Sequence, residues 1–287
     1  MPDPTAAMPD PATTEKDSRI EPPDDPELVK LGSLGQHVIW GDRPKEPLWI
    51  VLKNLGAVVI ADGANGLTRE SEARAFQLGI YVEPGASSAP LAAYHPSDWG
   101  PRSSWRPAGR APYGLDAPEN GGSSPETGYG WLVRDGRAYI QPPGAPAPGF
   151  YVSQTALVDG RYRDTDPRRY FDAAALPGFV LPGRDLDPYR VHLGDLALVE
   201  YNGRRIWAQA FDVGPPGRMV ELSIAACFAL GIPDCARSGG TEEGVDITIL
   251  PGSRKWFGGP PRPESLDEIN RAGRAAARGV GLRIGPG

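Results

Sequence analysis

The sequence predicts a mainly β fold: a β-barrel core with a few helices and long loops. Short runs rich in β-branched and aromatic residues recur at close spacing through the middle and C-terminal parts of the chain. Between them lies one clear internal helical run. The 37 glycines and 33 prolines among 287 residues point to many turns and extended surface segments. Many short strands with little helix fit a closed or sandwiched sheet better than a layered α/β arrangement.

Residues 1–28 are dense in proline and acidic residues with almost no large apolar side chains, which predicts a disordered tail. Residues 29–79 read as an N-terminal extension of unassigned role. They carry β-like runs at 37–40, 48–52 and 57–60 and a short helix over 68–78 with Thr68 as N-cap. Residues 85–124 combine Pro, Gly and Ser with Trp99, Trp105 and Tyr113, an aromatic load that predicts a long ordered loop rather than a linker. Strand-like runs follow at 129–133, 138–141, 150–158, 178–181, 196–201, 205–211 and 245–250. The internal helix is expected to begin at Glu221 and run to Leu230, with Gly231 as its C-cap. A last amphipathic helix is expected over 263–278, docked on the body, within a C-terminal segment from 257 to 287.

Two carboxylates, Asp212 and Glu221, bracket the most ordered stretch. Asp212 closes a strand, a Gly-Pro-Pro-Gly turn follows at 214–217, and Glu221 opens the next element. One acid at a strand end and one at the start of the following element can face a common groove. Glycoside hydrolysis needs such a pair, one group protonating the leaving oxygen while the other activates water or attacks carbon. The competing reading is structural, with Asp212 capping the turn and Glu221 capping the helix.

Further residues fall into a pattern. Gly149-Phe150-Tyr151-Val152-Ser153-Gln154-Thr155-Ala156-Leu157 precedes Asp166-Pro167-Arg168-Arg169-Tyr170-Phe171-Asp172-Ala173. Phe179-Val180-Leu181-Pro182-Gly183, Leu193-Gly194-Asp195-Leu196-Ala197 and Asp212-Val213-Gly214-Pro215 come next, then Glu221-Leu222-Ser223-Ile224-Ala225, Ala229-Leu230-Gly231-Ile232 and Pro251-Gly252-Ser253. In order and spacing these segments resemble the glycoside hydrolase family 75 chitosanases, particularly bacterial-type members. The resemblance covers roughly residues 80–253, so that residues 80–256 would form a chitosanase-like catalytic domain. It implies a six-stranded barrel with crossed, double-psi-like connections. It also implies endo-acting, inverting cleavage of β-1,4-linked glucosamine polymers, with Asp212 and Glu221 as the acid–base pair. Two departures stand out. Val220 occupies the position just before the Glu, where the family usually has Gly, and Val82-Glu83-Pro84-Gly85 replaces an acidic Asp-x-Asp-Gly segment.

A glucosamine polymer presents ammonium and hydroxyl groups, so carboxylates and aromatic faces are expected to line its groove. The substrate-binding candidates are Tyr151, Asp172, Asp195, Trp207 and Ser223. Asp195 has the alternative of a turn residue, Trp207 that of a core residue, and Ser223 that of a first-turn helix residue. Asp159, Asp164 and Asp166 do not follow the alternating pattern of a calcium loop and read as a solvated turn. The three histidines are scattered and neither cysteine has a zinc-type setting, so neither a metal nor a cofactor is expected. Cys227 and Cys235 lie close enough in sequence to pair across a corner or to remain two thiols.

A net charge of −6 and the lack of a basic patch argue against a nucleic-acid partner, and a polysaccharide partner is what the resemblance implies. No apolar run approaches the roughly 18 residues of a spanning helix, so no membrane partner is expected. The first residues lack the basic and apolar regions of a standard secretory signal, which leaves a cytoplasmic site or a non-classical route of export. A monomer is expected. Two further readings keep the barrel: hydrolysis of another amino-sugar polymer such as peptidoglycan glycan, and a non-catalytic carbohydrate-binding protein, favoured by Val220.

Overall fold

The computed structural model describes residues 28–60, 132–135, 137–139, 141–145, 152, 154–173, 175–217, 220–233, 240–282 and 284. Ten strands and two α-helices lie in that span: β1 (Val29–Leu34), β2 (His37–Gly41), β3 (Ile50–Ile60), β4 (Val133–Arg134), β5 (Arg137–Ala138), β6 (Gly178–Pro182), β7 (Leu196–Tyr201), β8 (Arg204–Gly214), β9 (Val220–Ser223), α1 (Ile224–Leu230), β10 (Thr241–Leu250) and α2 (Leu266–Val280). Among the described residues no helix is long and apolar enough to cross a membrane.

Six strands close into a barrel in the order β3-β10-β7-β8-β6-β9 and back to β3. Two contacts are parallel, β6 with β8 and β3 with β9. Parallel neighbours cannot be joined by a hairpin, so the chain must cross over to make them. The barrel interior is filled by alternate residues of each strand. Ala57 and Val59, Phe179 and Leu181, Ala197 and Val199, Ala208 and Ala210, Leu222, and Ile247 and Ile249 are all buried in one cluster. The alanines leave room for Phe179 and the branched side chains in a narrow cylinder.

β3 lies in the stretch set apart by sequence as an N-terminal extension, and it is a stave of the barrel. Its first half pairs with β2 and β10, and its second half runs parallel to β9. Sequence reads it as two runs because Lys53-Asn54 interrupts the apolar pattern. The interruption is a bend, with Asn54 at φ 54° and register irregularities opposite it in β10. Asp246 ties the bend down by accepting hydrogen bonds from Asn54 N at 2.9 Å and Lys53 Nζ at 3.1 Å.

The outer face of β7 and β8 is apolar too, because α2 covers it. Ile269, Ala272, Ala276 and Ala277 pack there against Leu196, Leu198, Trp207 and Leu250. Ser265 and Glu268 form a reciprocal capping box at the start of α2, which ends at Gly281 in the left-handed conformation. The expected C-terminal helix is therefore present and docked.

Two sequence expectations change. Glu221 does not open a helix. It sits on β9, and α1 starts three residues later with Ser223 as its N-cap. No turn residue separates this strand from the helix, so the apolar run conceals the boundary. The described part of 150–158 is not a strand. Its polar groups bond to side chains and to the edge of β8, and Val158 and Tyr170 form a lone bridge. Among the described residues of the runs at 129–133 and 138–141 lie parts of the two-residue strands β4 and β5. The tail at 1–27, the helix at 68–78, the loop at 85–124, Tyr151 and Cys235 lie outside the described residues. Cys227 is buried on α1.

Candidate functional site

Strict alternation along β8 would turn Asp212 inward, since Ala208 and Ala210 line the interior. A β-bulge prevents this. Phe179 on β6 pairs with Ala210, and the next residue, Val180, pairs with Asp212, so Phe211 is the extra residue. Phe211 then packs on the outer surface, stacked on Phe171 with ring centroids 4.4 Å apart. Asp212 is re-aimed to that same outer face, a common use of bulges beside functional sites.

On the other side of β6, Val180 pairs with Glu221 of β9, and Glu221 pairs in turn with Val58 of β3. Residues directly opposite one another across a ladder share a face. Asp212, Val180, Glu221 and Val58 therefore form one row across four strands, on the outside of the barrel. Two strand spacings separate the Cα atoms of Asp212 and Glu221, about 10 Å. Both carboxylates are half-buried, and Val58 is 49% exposed beside them.

The Glu221 side chain leans back across β6 toward β8. Its Oε2 lies 3.2 Å from where a Cβ on Gly214 would stand, and Val180 Cγ1 lies 3.1 Å from the same point. Gly214 follows Asp212 by two residues on the same strand. The Glu221 carboxylate and the root of the Asp212 side chain are thus within about 10 Å of each other. Asp212 is held from below: its Oδ1 accepts the Val213 amide at 2.8 Å and the Ala156 amide at 3.1 Å. Leu157 N donates to Phe211 O at 2.9 Å, so residues 156–157 lie along the bulged edge. Thr155 fixes that strap, donating to Leu157 O and accepting from Phe171 N.

Asp172 is flanked by residues that touch the surroundings of both acids. The preceding Phe171 stacks on the neighbour of Asp212, and the following Ala173 accepts from Ala225 N at 3.0 Å, four residues past Glu221. Asp172 is half-buried there. The other substrate-binding candidates are elsewhere. Asp195 is fully buried and accepts three backbone amides, from His192 at 2.9 Å, Gly252 at 3.1 Å and Arg254 at 3.0 Å. Burial raises its pKa while those amides oppose the rise. It staples two loops and has no surface to offer a ligand. Trp207 is buried under α2. The hydroxyl of Ser223 caps α1 through Ala226 N, accepts from Gly178 N and donates to Leu176 O, so it serves the backbone.

Val220 pairs with Ala57, and its side chain is buried in the barrel interior, on the opposite face from Glu221. A β-branched residue suits that strand position and leaves the carboxylate free to turn outward.

Asp159, Asp164 and Asp166 are each taken by an arginine: Arg161 at 2.6 Å, Arg134 at 2.7 Å and Arg168 at 2.5 Å. Arg161 and Arg168 hold Asp159 and Asp166 below the usual carboxylate range. Among the described residues no group of three or more His, Cys, Asp or Glu side chains could hold a metal ion.

The chain matches no family model and no curated protein. What can be said of the site rests on its geometry. Two outward carboxylates on strands one apart, with an apolar floor at Val180 and exposed Val58 beside them, can flank a polymer segment laid along the wall. Sequence reasoning missed Gly214, Ala156 and Val58. The last would have needed the parallel register of β3 with β9, which no local pattern encodes.

Proposed function

We propose that the protein is a glycoside hydrolase that cleaves β-1,4-linked glucosamine polymers internally with inversion, using Asp212 and Glu221. The observation that carries this reading is the single outward row Asp212–Val180–Glu221 across β8, β6 and β9. Inverting enzymes hold their two carboxyl groups roughly 6.5–9.5 Å apart so that a water fits between one of them and the sugar. A two-strand spacing of the Cα atoms, about 10 Å, leaves room for such a separation. In the proposed reaction the water oxygen bonds to the anomeric carbon as the glycosidic C–O bond breaks. One carboxylate takes the proton from water and the other, protonated, gives its proton to the leaving oxygen. Asp172, half-buried between Phe171 and Ala173, is proposed to supply negative charge for the ammonium groups of the substrate. The burial of Val220 in the barrel supports a functional Glu221 rather than a binding protein with a displaced one.

The test is release of reducing ends from soluble chitosan, chitin and peptidoglycan by the unmodified protein, Asp212→Asn and Glu221→Gln. Loss of a positioned acid or base costs about a hundredfold or more in rate. Both variants are expected to lose chitosan hydrolysis on that scale while melting like the parent, and the parent's first product is expected to be the α-anomer. Full activity in both amide variants overturns the assignment. Cleavage of peptidoglycan alone moves the reading to a different polymer.

A further inference from the structure

A further depression shares no lining residue with the Asp212–Glu221 row. It is a cleft of about 380 Å³ between the C-terminal half of α2 and the outer face of β7 and β8. That volume falls within the range of small-molecule sites. Leu198, Ile206 and Leu282 contribute to an apolar floor, and Arg205, Arg274 and Arg278 stand around it. Among the described residues, no acidic side chain lines the cleft.

The charge is the informative part, because the whole chain is net −6. Arg205 faces Glu200 across the β7–β8 ladder, so part of its charge is answered within the protein. Arg274 and Arg278 are exposed and make no ion pair among the described residues. They stand four positions apart on one helix face, where like charges repel. A cation in the last turn of a helix is favoured by the helix dipole, which accounts for Arg278. It does not account for Arg274 one turn earlier. Three guanidinium groups around one apolar hollow suit an oxyanion, which they can grip with paired N–H donors while the floor takes a carbon skeleton.

We infer that this cleft binds a small amphiphilic anion, a phosphate or carboxylate headgroup on a short apolar body. The site is independent of the proposed glycosidase centre, since its arginines and floor share no residue with that row.

The experiment is a fluorescence titration of the whole protein with 8-anilinonaphthalene-1-sulfonate at low salt, followed by displacement with hexyl phosphate, inorganic phosphate or 1-hexanol. One saturable site is expected, with hexyl phosphate at least about tenfold more effective than either half-ligand alone. Arg274→Gln/Arg278→Gln is expected to weaken probe binding by at least about tenfold. Both side chains are exposed, so its melting temperature is expected to match the parent's. Unsaturable binding, an unchanged affinity in the double variant, or hexanol equal to hexyl phosphate overturns the proposal. Inorganic phosphate equal to hexyl phosphate overturns it as well, leaving a plain anion patch with no role for the floor.

Discussion

Glu221 Oε2 occupies the space that a side chain on Gly214 would need, 3.2 Å from the virtual Cβ. Gly214→Ala therefore pushes on the tip of a flexible carboxylate and on one methyl of Val180. The fold can yield there at a cost of under about 1 kcal/mol, but the acid is moved, and a displacement near 1 Å can cost a hundredfold in rate. Chitosan turnover by Gly214→Ala is expected to fall at least about tenfold with little change in melting temperature. Parent-like turnover would separate Glu221 from the reaction.

Gly273 and Trp207 make a sharper contact. A Cβ on Gly273 would fall within 2.6 Å of indole Cγ, and closer still to the ring carbons beyond it. Helix propensity alone predicts that Gly273→Ala stabilises α2 by about 1 kcal/mol. Overpacking against an indole buried under the helix costs roughly 1–3 kcal/mol and reverses the sign. Urea unfolding should show a lower midpoint for the variant, with a slope close to the parent's.

Asp195 can be tested by one atom. Asparagine keeps its shape but replaces one acceptor oxygen with a donor. In Asp195→Asn either Arg254 N, or His192 N together with Gly252 N, faces an NH₂ group. An unmet buried amide costs about 1–3 kcal/mol, and thermal melts at neutral pH should register that loss. Sugar-polymer binding should be unaffected.

Glu264 gives the fold a pH dependence. It is 3% exposed, and burial raises its pKa from 4.5 to about 7 despite Arg262 nearby. The folded state holds the proton more tightly than the unfolded chain, so between pH 4.5 and about 7 the native state binds more protons. Stability from this group is full below pH 4.5 and declines as pH climbs to about 7. The loss is at most roughly 3 kcal/mol. Water reaching the Arg262 side makes about 2 kcal/mol the better expectation. Glu264→Gln mimics the protonated form. It should flatten the decline and exceed the parent in denaturant midpoint above pH 7.

Much of the barrel is visible in the sequence because several staves have apolar residues on both faces. Residues 196–201 read as a strand and are β7; 205–211 and 178–181 fall inside β8 and β6. β1 is not legible in the sequence, since Val29–Leu34 carries Lys30, Gly32 and Ser33, and β2 is its one strand partner among the described residues. β9 reads as the start of a helix because four residues leave no room for a period. For the candidate site, the two acids stand out by spacing, but the outward turn of Asp212 does not. It depends on the bulge at Phe211, and a bulge is a property of two paired strands rather than of one. Asp195, Trp207 and Ser223 misled because buried polar and aromatic residues look alike in sequence whether they hold a ligand or a loop.

The long strand β3 has a consequence for how the molecule assembles. Its partners β9 and β10 are more than 150 residues away along the chain, so contact order is high and the cylinder cannot seal while synthesis is still in its first half. A polypeptide beginning after residue 60 would leave two raw edges where that stave belongs, and such edges recruit other chains. Expression of residues 61–287 alone should yield aggregates, and adding residues 28–60 back as a separate peptide should restore solubility.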